Sequence, residues 1–464
     1  MSKRSERRRF LQLMGTGAAA LTLPGMRRLS GRGQDQPNLV FLLADDLGYG
    51  DLGSYGHPTI KTPHIDGLAS DGMRFTSCYA PAPNCSPSRA GYLTGRHPYR
   101  VGVYNWIPDG NPMHLRRPEI TLPEWLKKRG YDTGLFGKWH LSGKFNSPAQ
   151  PQPDDHGFDY WFATANRVQP SHVNPANFVR NGEPVGQIEG LSAHIVAEEA
   201  LRWLNNRADP SRPFCLFAWF HEPHMPIATT ERYKQMYPDA TEREATYYGD
   251  VSHLDDGVGK IVKGLDEMGA RENTFVFFTS DNGPEYRPDA SKPGSAGPLR
   301  GKKGHTYEGG IRVPGIARWP ERIPSGAVSD EPISGLDLLP TVAEIANLPI
   351  PADRHIDGQS MTPVFEERPI NRQQPLYWQM NNAHHRHKIA IRDGRWKLLA
   401  TRGFTDFELY DLAKDRGEQN NLAEQQPERV RELAVKMKSL HHGIHRAGYD
   451  WPGLNDLGRR IRPD

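Results

Sequence analysis

The chain reads Asn38-Leu39-Val40-Phe41-Leu42-Leu43-Ala44-Asp45-Asp46, an unbroken apolar run that ends in two carboxylates. A second run, Asn273-Thr274-Phe275-Val276-Phe277-Phe278-Thr279-Ser280, leads in the same way into Asp281-Asn282-Gly283. Apolar runs without polar alternation are typical of strands that are covered on both faces, as in a parallel sheet. The two runs therefore predict buried strands of a parallel sheet.

Two further apolar runs have the same character. Phe214-Cys215-Leu216-Phe217-Ala218-Trp219-Phe220 leads into His221-Glu222-Pro223-His224, and the shorter Thr133-Gly134-Leu135-Phe136-Gly137 leads into Lys138-Trp139-His140. In open α/β sheets, ligands bind at the carboxyl ends of the strands. Each run ends there in residues that can bind a metal or transfer a proton, and this coincidence is the first indication of function.

Helices are predicted between these strands. Thr121-Leu122-Pro123-Glu124 has the capping-box pattern that opens a helix, and Gly130 closes it. Apolar residues recur at spacings of three and four from Tyr247 to Met268, which predicts an amphipathic helix before the strand at 273–280. Alternating strands and helices predict an α/β fold with a large, mostly parallel sheet covered by helices.

The pattern changes after about residue 370. Short runs at 388–392, 396–399 and 407–410 are separated by turn residues such as Asp393-Gly394, which predicts short antiparallel strands. Apolar residues from Val430 to Leu440 then predict a terminal helix. We therefore expect a catalytic α/β domain at 37–370 and a smaller subdomain, an antiparallel sheet plus a helix, at 371–464.

Charge and cysteine content exclude two classes of protein. The formal net charge is +3, but residues 1–30 carry +6, so the rest of the chain is near −3. A chain without an overall basic field is a poor nucleic-acid binder, so no nucleic-acid partner is predicted. Three cysteines, Cys78, Cys85 and Cys215, cannot form a disulfide framework, and Cys78 and Cys215 lie in apolar surroundings typical of buried thiols.

The amino terminus has the pattern of a targeting segment. Arg7-Arg8-Arg9-Phe10-Leu11-Gln12 resembles a twin-arginine export signal, and a short apolar stretch follows up to Pro24-Gly25. The alternative is a basic tail without a targeting role. We expect residues 1–36 to be a signal and linker, and the protein to be exported to the periplasm or beyond. No other segment is apolar enough to predict a membrane span.

Asp45, Asp46, Asp281 and Asn282 form two oxygen-rich pairs at predicted strand ends. Hard oxygen donors favour Ca²⁺ or Mg²⁺ over zinc, since no Cys/His cluster has zinc spacing. Mg²⁺ usually keeps several waters, so a site built mainly from protein oxygens fits Ca²⁺ better. Either pair alone could instead be a turn or a helix cap.

Cys85-Ser86-Pro87-Ser88-Arg89 follows an irregular segment and precedes a predicted helix, with Pro87 in its first turn. The helix dipole would favour an anion at Cys85. From the residues alone, Cys85 could be a reactive thiolate or a small buried residue at a helix cap.

The longer stretch from Cys85 to Arg96, with its Cys-x-Pro-x-Arg core, resembles the signature of the type I sulfatases, and Gly137-Lys138-Trp139-His140-Leu141 resembles their second signature. The resemblance runs from about Pro37 to the tail. It implies an alkaline-phosphatase-like fold and a cysteine that a maturation enzyme oxidises to formylglycine.

The resemblance also implies roles for named residues. It assigns one Ca²⁺ to Asp45, Asp46, Asp281 and Asn282, joined by the formylglycine at Cys85. Arg89 would hold the formylglycine hydrate, Lys138 would bind the sulfate and His140 would contact the formylglycine. His224 and Lys303 match the second histidine and the second lysine of the family, although the adjacent Lys302 leaves the choice of lysine open.

These residue types suit the hydrolysis of a sulfate monoester. Positive charge from Ca²⁺, Lys138 and Lys303 would neutralise the sulfuryl oxygens. His224, helped by Lys303, would protonate the leaving oxygen, and His140 would act as a base in the release of sulfate. A phosphatase or phosphodiesterase of the same superfamily, and an inactive glycan-binding protein, are the alternatives from the residues.

The substrate is predicted from a narrower resemblance. Segments 248–250 and 273–278 resemble the branch that contains arylsulfatase A and N-acetylgalactosamine-6-sulfatase. For an exported member we expect a sulfated polysaccharide, with a simple aryl sulfate as the alternative. The polar loop residues that we expect near the sugar are Gly56, His57, Asn166, Arg167, His172 and 381–387, with Arg386 and His387 as contacts for a second anionic group.

Overall fold

The computed structural model of the protein describes residues 36–285 and 293–459. The predicted twin-arginine signal, Arg7 to Gln12, lies outside these described residues. From Gln36 onward the chain forms one compact unit. The predicted domain boundary after residue 370 stays a prediction.

Two kinds of element make up this unit. The strands are β1 (Asn38–Ala44), β2 (Met73–Tyr79), β3 (Asp132–Lys138), β4 (Tyr160–Thr164), β5 (Phe178–Arg180), β6 (Glu183–Gly186), β7 (Phe214–Trp219), β8 (Thr274–Ser280), β9 (Arg312–Arg318), β10 (Ala327–Ser329), β11 (Ile333–Ser334), β12 (Leu376–Gln379), β13 (Ile389–Asp393), β14 (Trp396–Ala400) and β15 (Phe407–Asp411). The helices are α1 (Pro63–Ser70), α2 (Cys85–Thr94), α3 (Leu122–Lys127), α4 (Ser192–Asn205), α5 (Glu231–Lys234), α6 (Glu242–Glu267), α7 (Glu308–Ile311), α8 (Leu338–Ile345), α9 (Thr362–Phe365) and α10 (Pro427–Arg446).

The large sheet has the strand order β10-β2-β9-β8-β1-β7-β3-β4-β5-β6, with β11 beside β2. Its centre, β8-β1-β7-β3-β4, is parallel throughout. Strand β9 runs antiparallel to both β8 and β2, and β5 and β6 extend the other side as antiparallel strands. A second sheet, β12-β13-β14-β15, is an antiparallel meander. The predicted fold class is therefore confirmed.

The apolar runs form strands that are buried on both faces. Leu39, Phe41 and Leu43 of β1 belong to one hydrophobic cluster. Val40 and Leu42, which point the other way, belong to another. A strand whose side chains pack into a hydrophobic core on each face has no polar face, and this explains the absence of polar alternation in the sequence.

The register of the parallel strands brings their polar ends together. Ala44 pairs with Ser280, so the residues that follow β1 and β8 leave the sheet side by side. Trp219 of β7 pairs with Leu43 on one side and Gly137 on the other, so the segments after β7 and β3 start at the same edge. This edge carries the candidate site.

Several local predictions are confirmed. Thr121 and Glu124 form a reciprocal capping box at the start of α3. The amphipathic helix is α6, although Met268 lies just past its end and is exposed. Strands β13, β14 and β15 and helix α10 match the predicted subdomain, whereas β12 was not predicted. Cys78 and Cys215 are buried free thiols, and burial raises the pKa of each.

In the described part of the chain, none of the helices combines the length and the apolar character that a membrane crossing requires.

A buried ion network joins the two sheets. Lys397 of β14 lies 2.9 Å from Glu308 Oε1 of α7 and 2.8 Å from Glu418 Oε1, and all three side chains are buried. The backbone N–H of Glu308 also donates to Glu418 Oε2 at 2.7 Å. Lys397 is thus the cation shared by two buried carboxylates.

Replacing Lys397 with methionine (Lys397→Met) should lower the free energy of unfolding by about 3–5 kcal/mol, because it leaves two buried carboxylates without their shared cation. Urea unfolding followed by circular dichroism measures the change. Lys436→Met is the matched control, since Lys436 pairs with Asp393 on the partly exposed surface of the same subdomain. That pair should contribute less than about 1 kcal/mol. Equal losses in the two variants would contradict the assigned role of the network.

Candidate active site

Four predicted metal ligands converge at the carboxyl ends of β1 and β8. Asp45, Asp281 and Asn282 are 0% exposed and Asp46 is 1% exposed. The Asp46 backbone N–H donates to Asp281 Oδ1 at 3.2 Å, and Asn282 Nδ2 donates to Asp46 Oδ1 at 2.7 Å. Asp46 has a φ of 65°, a left-handed backbone that is uncommon outside glycine and that concentrates at functional sites.

Three oxygens in this group lack a hydrogen-bond partner among the described residues, although they are buried: Asp45 Oδ1, Asp46 Oδ2 and Asn282 Oδ1. An unsatisfied buried oxygen costs free energy unless a donor or a cation contacts it. Asp45, Cys85 and Asp281 offer ligand atoms that lie within 4.8 Å of one another. Carboxylate and amide oxygens in this arrangement fit a hard divalent cation such as Ca²⁺.

Two lysines provide positive charge beside the carboxylates. Lys138 Nζ, at the end of β3, lies 2.6 Å from Asp45 Oδ2, and Lys303 Nζ lies 2.6 Å from Asp46 Oδ1. Burial raises the pKa of Asp46, but the charges of Lys303, His224 and Lys138 outweigh it and hold the pKa below its usual range. Neighbouring Lys302 instead donates to the carbonyl of Gly294 at 2.7 Å. The structure thus places Lys303, and not Lys302, against the carboxylates.

Lys138 reaches the site because of the glycine before it. Gly137 has a φ of 106°, and a Cβ there would lie 1.9 Å from the carbonyl oxygen of Trp219 on the adjacent strand. Only glycine allows β3 and β7 to approach this closely at their ends. In the second signature, Gly137 thus allows the close approach of the two strands, and Lys138 directly follows it in the chain.

Arg89 lies beneath the candidate ligands and is fully buried. Its Nε and Nη2 donate to Asp281 Oδ2 at 3.0 and 2.8 Å, and its Nη1 donates to the carbonyl oxygen of Lys138 at 3.0 Å. Burial, followed by repulsion from Asp45, raises the pKa of Asp281 to about 6 despite the contact with Arg89. Arg89 thereby fixes the orientation of Asp281 and of the strand end that carries Lys138.

Cys85 is the first residue of α2 and is 3% exposed. Asn84 caps the helix, since its side-chain oxygen accepts from the Cys85 backbone N–H at 2.9 Å, and Pro87 lies in the first turn. The Cys85 thiol lies 3.3 Å from the same Asn84 oxygen. Burial is the main reason that the pKa of this thiol is raised.

The two predicted histidines approach the site from different loops. His140 has a φ of 54°, and its Nε2 lies 3.2 Å from the carbonyl oxygen of Ile107. His140 Nδ1 has no hydrogen-bond partner among the described residues. His224 Nδ1 lies 2.7 Å from the Met225 carbonyl oxygen, and its Nε2 lies 3.9 Å from Asp46 Oδ2. Burial lowers the pKa of both rings.

A cavity of about 540 Å³ opens onto these residues. Its walls include Cys85, His140, His224 and Lys303, together with Asn84, Trp106, Asn166, Glu285, Gly304, Met380, Asn382, His384 and Arg459. The segment between β12 and β13 thus contributes Met380, Asn382 and His384 to the walls. Trp106 is 43% exposed although it is a large aromatic residue, and nothing in the sequence pattern around it indicated this position.

The expected sugar-pocket residues divide into two groups. Asn166, Asn382 and His384 lie at the cavity, whereas the predicted residues Gly56, His57, Arg167, Asn381, Ala383 and His385 are not among those that line it. Arg386 and His387 do not line it, because both contact Asp406 on the neighbouring turn. His172 was expected in the same pocket, but it is fully buried and pairs with Asp250 at 2.7 Å.

Comparison with known families is consistent with this geometry. The model of the family described as "Sulfatase" matches residues 37–348. A second model, "N-sulphoglucosamine sulphohydrolase, C-terminal", matches residues 302–444, which include the small antiparallel sheet and most of α10.

Individual relatives match over most of their length. N-acetylgalactosamine-6-sulfatase of Canis lupus familiaris is 37% identical over 384 residues, which are 76% of this chain and 72% of that protein. Arylsulfatase A of Homo sapiens is 36% identical over 430 residues, 83% of each chain. The crystal structure of Ps i-CgsB in complex with k-i-k-neocarrahexaose has 28% identity and a TM-score of 0.79, and the match covers 89% of this chain and 94% of that one. The chain therefore belongs to the sulfatase family, whose named members are sulfuric ester hydrolases.

Proposed function

We propose that this sulfatase hydrolyses sulfate monoesters of a glycan by means of one Ca²⁺ and a formylglycine made from Cys85. The observation that carries the proposal is a set of buried oxygens, from Asp45, Asp46 and Asn282, that have no hydrogen-bond partner in the part of the chain that the structure describes. Such oxygens fit a hard cation, and the adjacent cysteine stands at the start of a helix. A phosphatase site with two zinc ions would need several histidine ligands here, and the donors that converge are mainly oxygens.

The candidate ligands for Ca²⁺ are Asp45, Asp46, Asp281 and Asn282. When bound there, the ion would supply positive charge to the sulfuryl group. Lys138, which contacts Asp45, and Lys303, which contacts Asp46, add to that charge. Together these groups offset the repulsion that a sulfate monoester, itself an anion, would meet among carboxylates.

The hydrated aldehyde of formylglycine supplies two hydroxyls, one to attack sulfur and one whose deprotonation expels sulfate and regenerates the aldehyde. Position 85 suits this residue because it faces the cavity from the first position of α2, between Asp45 and Asp281. Neighbouring residues must keep position 85 fixed relative to the cavity. Asn84 does so by capping the helix and donating to Asn105 Oδ1 at 3.0 Å.

His140 is placed to accept a proton. Its Nε2 can donate to the Ile107 carbonyl, which leaves Nδ1 as the basic nitrogen of a neutral ring. No hydrogen bond among the described residues occupies Nδ1, so that lone pair remains available for a hydroxyl at position 85.

Lys303 and His224 are placed to serve the leaving group. Both line the cavity and both lie beside Asp46. Since His224 Nδ1 donates to the Met225 carbonyl, Nε2 can supply a proton to the leaving oxygen only when the ring is a cation, a form that the Asp46 carboxylate favours and burial opposes by lowering the pKa of the ring. Lys303 is the adjacent ammonium group and can share this role.

The proposed substrate class is a sulfated saccharide. Relatives that are more than a third identical to this chain over the aligned residues include N-acetylgalactosamine-6-sulfatase, and a similar structure was solved with k-i-k-neocarrahexaose. The cavity offers the polar side chains Asn166, Asn382 and His384 around one exposed aromatic residue, Trp106. Polar groups around an aromatic face are suited to a sugar ring.

Export and maturation complete the proposal. The arginine-rich segment before residue 13 would direct the folded protein out of the cytoplasm, to the periplasm or the medium. A formylglycine-generating enzyme would have to modify Cys85 before this export. The basis for both statements is the sequence pattern.

Cys85→Ala should abolish turnover of a sulfate ester and leave the fold intact, because it removes the nucleophile and only one sulfur atom. Cys85→Ser should complete at most one sulfuryl transfer per chain, since a single hydroxyl cannot expel the sulfate. The desulfated alcohol released per mole of enzyme distinguishes these outcomes: none is expected from Cys85→Ala and at most one from Cys85→Ser, whose sulfate stays bound to the protein. Cys215→Ala is the matched control, since Cys215 is a buried cysteine of β7 that does not line the cavity. Multiple turnover by either Cys85 variant at the wild-type rate would contradict the mechanism.

His384→Gln and Asn382→Ala should lower kcat/KM for a sulfated oligosaccharide about tenfold and change kcat/KM for a small aryl sulfate much less. Contacts remote from the reacting group serve only the larger substrate. The matched control is Arg386→Gln, because Arg386 belongs to the same loop but pairs with Asp406 away from the cavity. Equal losses on both substrates would show that residues 382–384 support the fold and not the sugar. A loss confined to Arg386→Gln would place the sugar contacts elsewhere.

A further inference from the structure

A second group of metal-ligating side chains lies behind the loop that carries His224. It consists of His172, Glu222, Asp250 and His253, and each of these residues is 0% exposed. His172 lies between β4 and β5, Glu222 follows β7, and Asp250 and His253 are one turn apart on α6. None of the four is among the candidate Ca²⁺ ligands or the proposed catalytic residues.

The ligand atoms of this group are close enough to share one ion. One atom from each of His172, Glu222 and His253 lies within 4.8 Å of the other two. His253 Nε2 and Glu222 Oε1 are 3.3 Å apart. Two ligands on a tetrahedral ion with bonds of about 2.0–2.1 Å are separated by about 3.3–3.4 Å, so this spacing fits zinc.

The remaining contacts are those that metal ligands usually need. His172 Nδ1 lies 2.7 Å from Asp250 Oδ1, and His253 Nδ1 lies 3.1 Å from the Thr229 hydroxyl. Ligating histidines usually hold their other ring nitrogen in such a bond, and ligating carboxylates are themselves hydrogen-bonded. The backbone N–H of His221 donates to Glu222 Oε2 at 3.1 Å, and the Ser192 hydroxyl contacts Oε1.

Charge gives a separate reason for an ion. Two fully buried carboxylates, Glu222 and Asp250, need two positive charges. Among the described residues neither forms an ion pair with a lysine or an arginine, and the histidines are their only cationic partners. The cluster is neutral with two protonated histidines, with one protonated histidine and one protonated carboxyl group, or with two neutral histidines and one divalent cation.

One nitrogen atom favours the cation. His172 Nε2 is buried and has no hydrogen-bond partner among the described residues. A protonated His172 would leave its Nε2–H unsatisfied, whereas a neutral ring bonded to Asp250 through Nδ1 leaves Nε2 as a free ligand atom.

We propose that His172, Glu222 and His253 bind one divalent transition-metal ion, for which zinc is the best match, with Asp250 orienting His172. Imidazole and carboxylate ligands suit zinc, and complete burial indicates a structural ion that no substrate reaches. The carbonyl of Glu222 accepts from the Asp45 backbone N–H at 3.0 Å, and His224 is two residues further on. The ion would therefore brace the loop between a Ca²⁺ ligand and a catalytic histidine.

Elemental analysis of the full-length protein, purified without chelators from zinc-supplemented medium, should find about one zinc per chain. Protein stripped with dipicolinate and reloaded with Co²⁺ should show the visible d–d absorption of a tetrahedral site. His253→Gln should lose both signals. His64→Gln, which alters a partly exposed group with Asp255 and Asp256, is the matched control and should keep both.

If His253→Gln fails to fold, measurements on the wild-type protein alone can test whether the cluster binds zinc. Zinc added to the stripped wild-type protein should raise its melting temperature, because an ion that binds only the folded state stabilises it. No bound zinc, no Co²⁺ spectrum and no thermal shift would together show that the cluster is neutralised by protons. The same measurements on Cys85→Ala should match the wild type, so this result is independent of the catalytic proposal.

Discussion

Three buried carboxylates at adjacent strand ends, Asp45, Asp46 and Asp281, are the constraint on which the site depends. Their mutual repulsion in a region without water must be offset by positive charge. Lys138, Lys303 and Arg89 supply part of it from three different elements. The oxygens that remain without partners have the character of ligands for a cation. A substrate that is itself an anion can enter such a site only because this charge is present.

The candidate Ca²⁺ site is connected to a second group of buried charged side chains. Glu222 connects to Asp45 through its backbone carbonyl, and its side chain joins the buried cluster of His172, Asp250 and His253. The candidate Ca²⁺ ligands and Glu222 follow the ends of parallel strands, where ligands collect in open α/β sheets, whereas Asp250 and His253 lie on α6. The two apolar cores on either side of β1 hold these ends in register. The packing of the sheet therefore also fixes the positions of these charged side chains.

The sequence allowed part of this arrangement to be predicted. Apolar runs that end in acidic residues or histidines predicted the large sheet, the edge of it that carries the site, and the candidate ligands. This was possible because each apolar run and its polar end are contiguous in the sequence. Groups assembled from distant segments could not be predicted. His172 appeared to be a loop residue because Asp250 and Glu222, its neighbours in space, are 78 and 50 positions away. Trp106 lines the cavity together with Asn382 and His384, which are 276 and 278 positions away in the chain, and strand β12 was not predicted.

The central claim is that the buried oxygens of Asp45, Asp46, Asp281 and Asn282 hold a single hard cation beside residue 85. The most direct test is a crystal structure of matured protein grown with Ca²⁺, combined with elemental analysis. The account predicts one Ca²⁺ in contact with all four side chains, at about 2.3–2.6 Å from their oxygens. Saturating Ca²⁺ that leaves the site without an ion, or two zinc ions bound there, would contradict it.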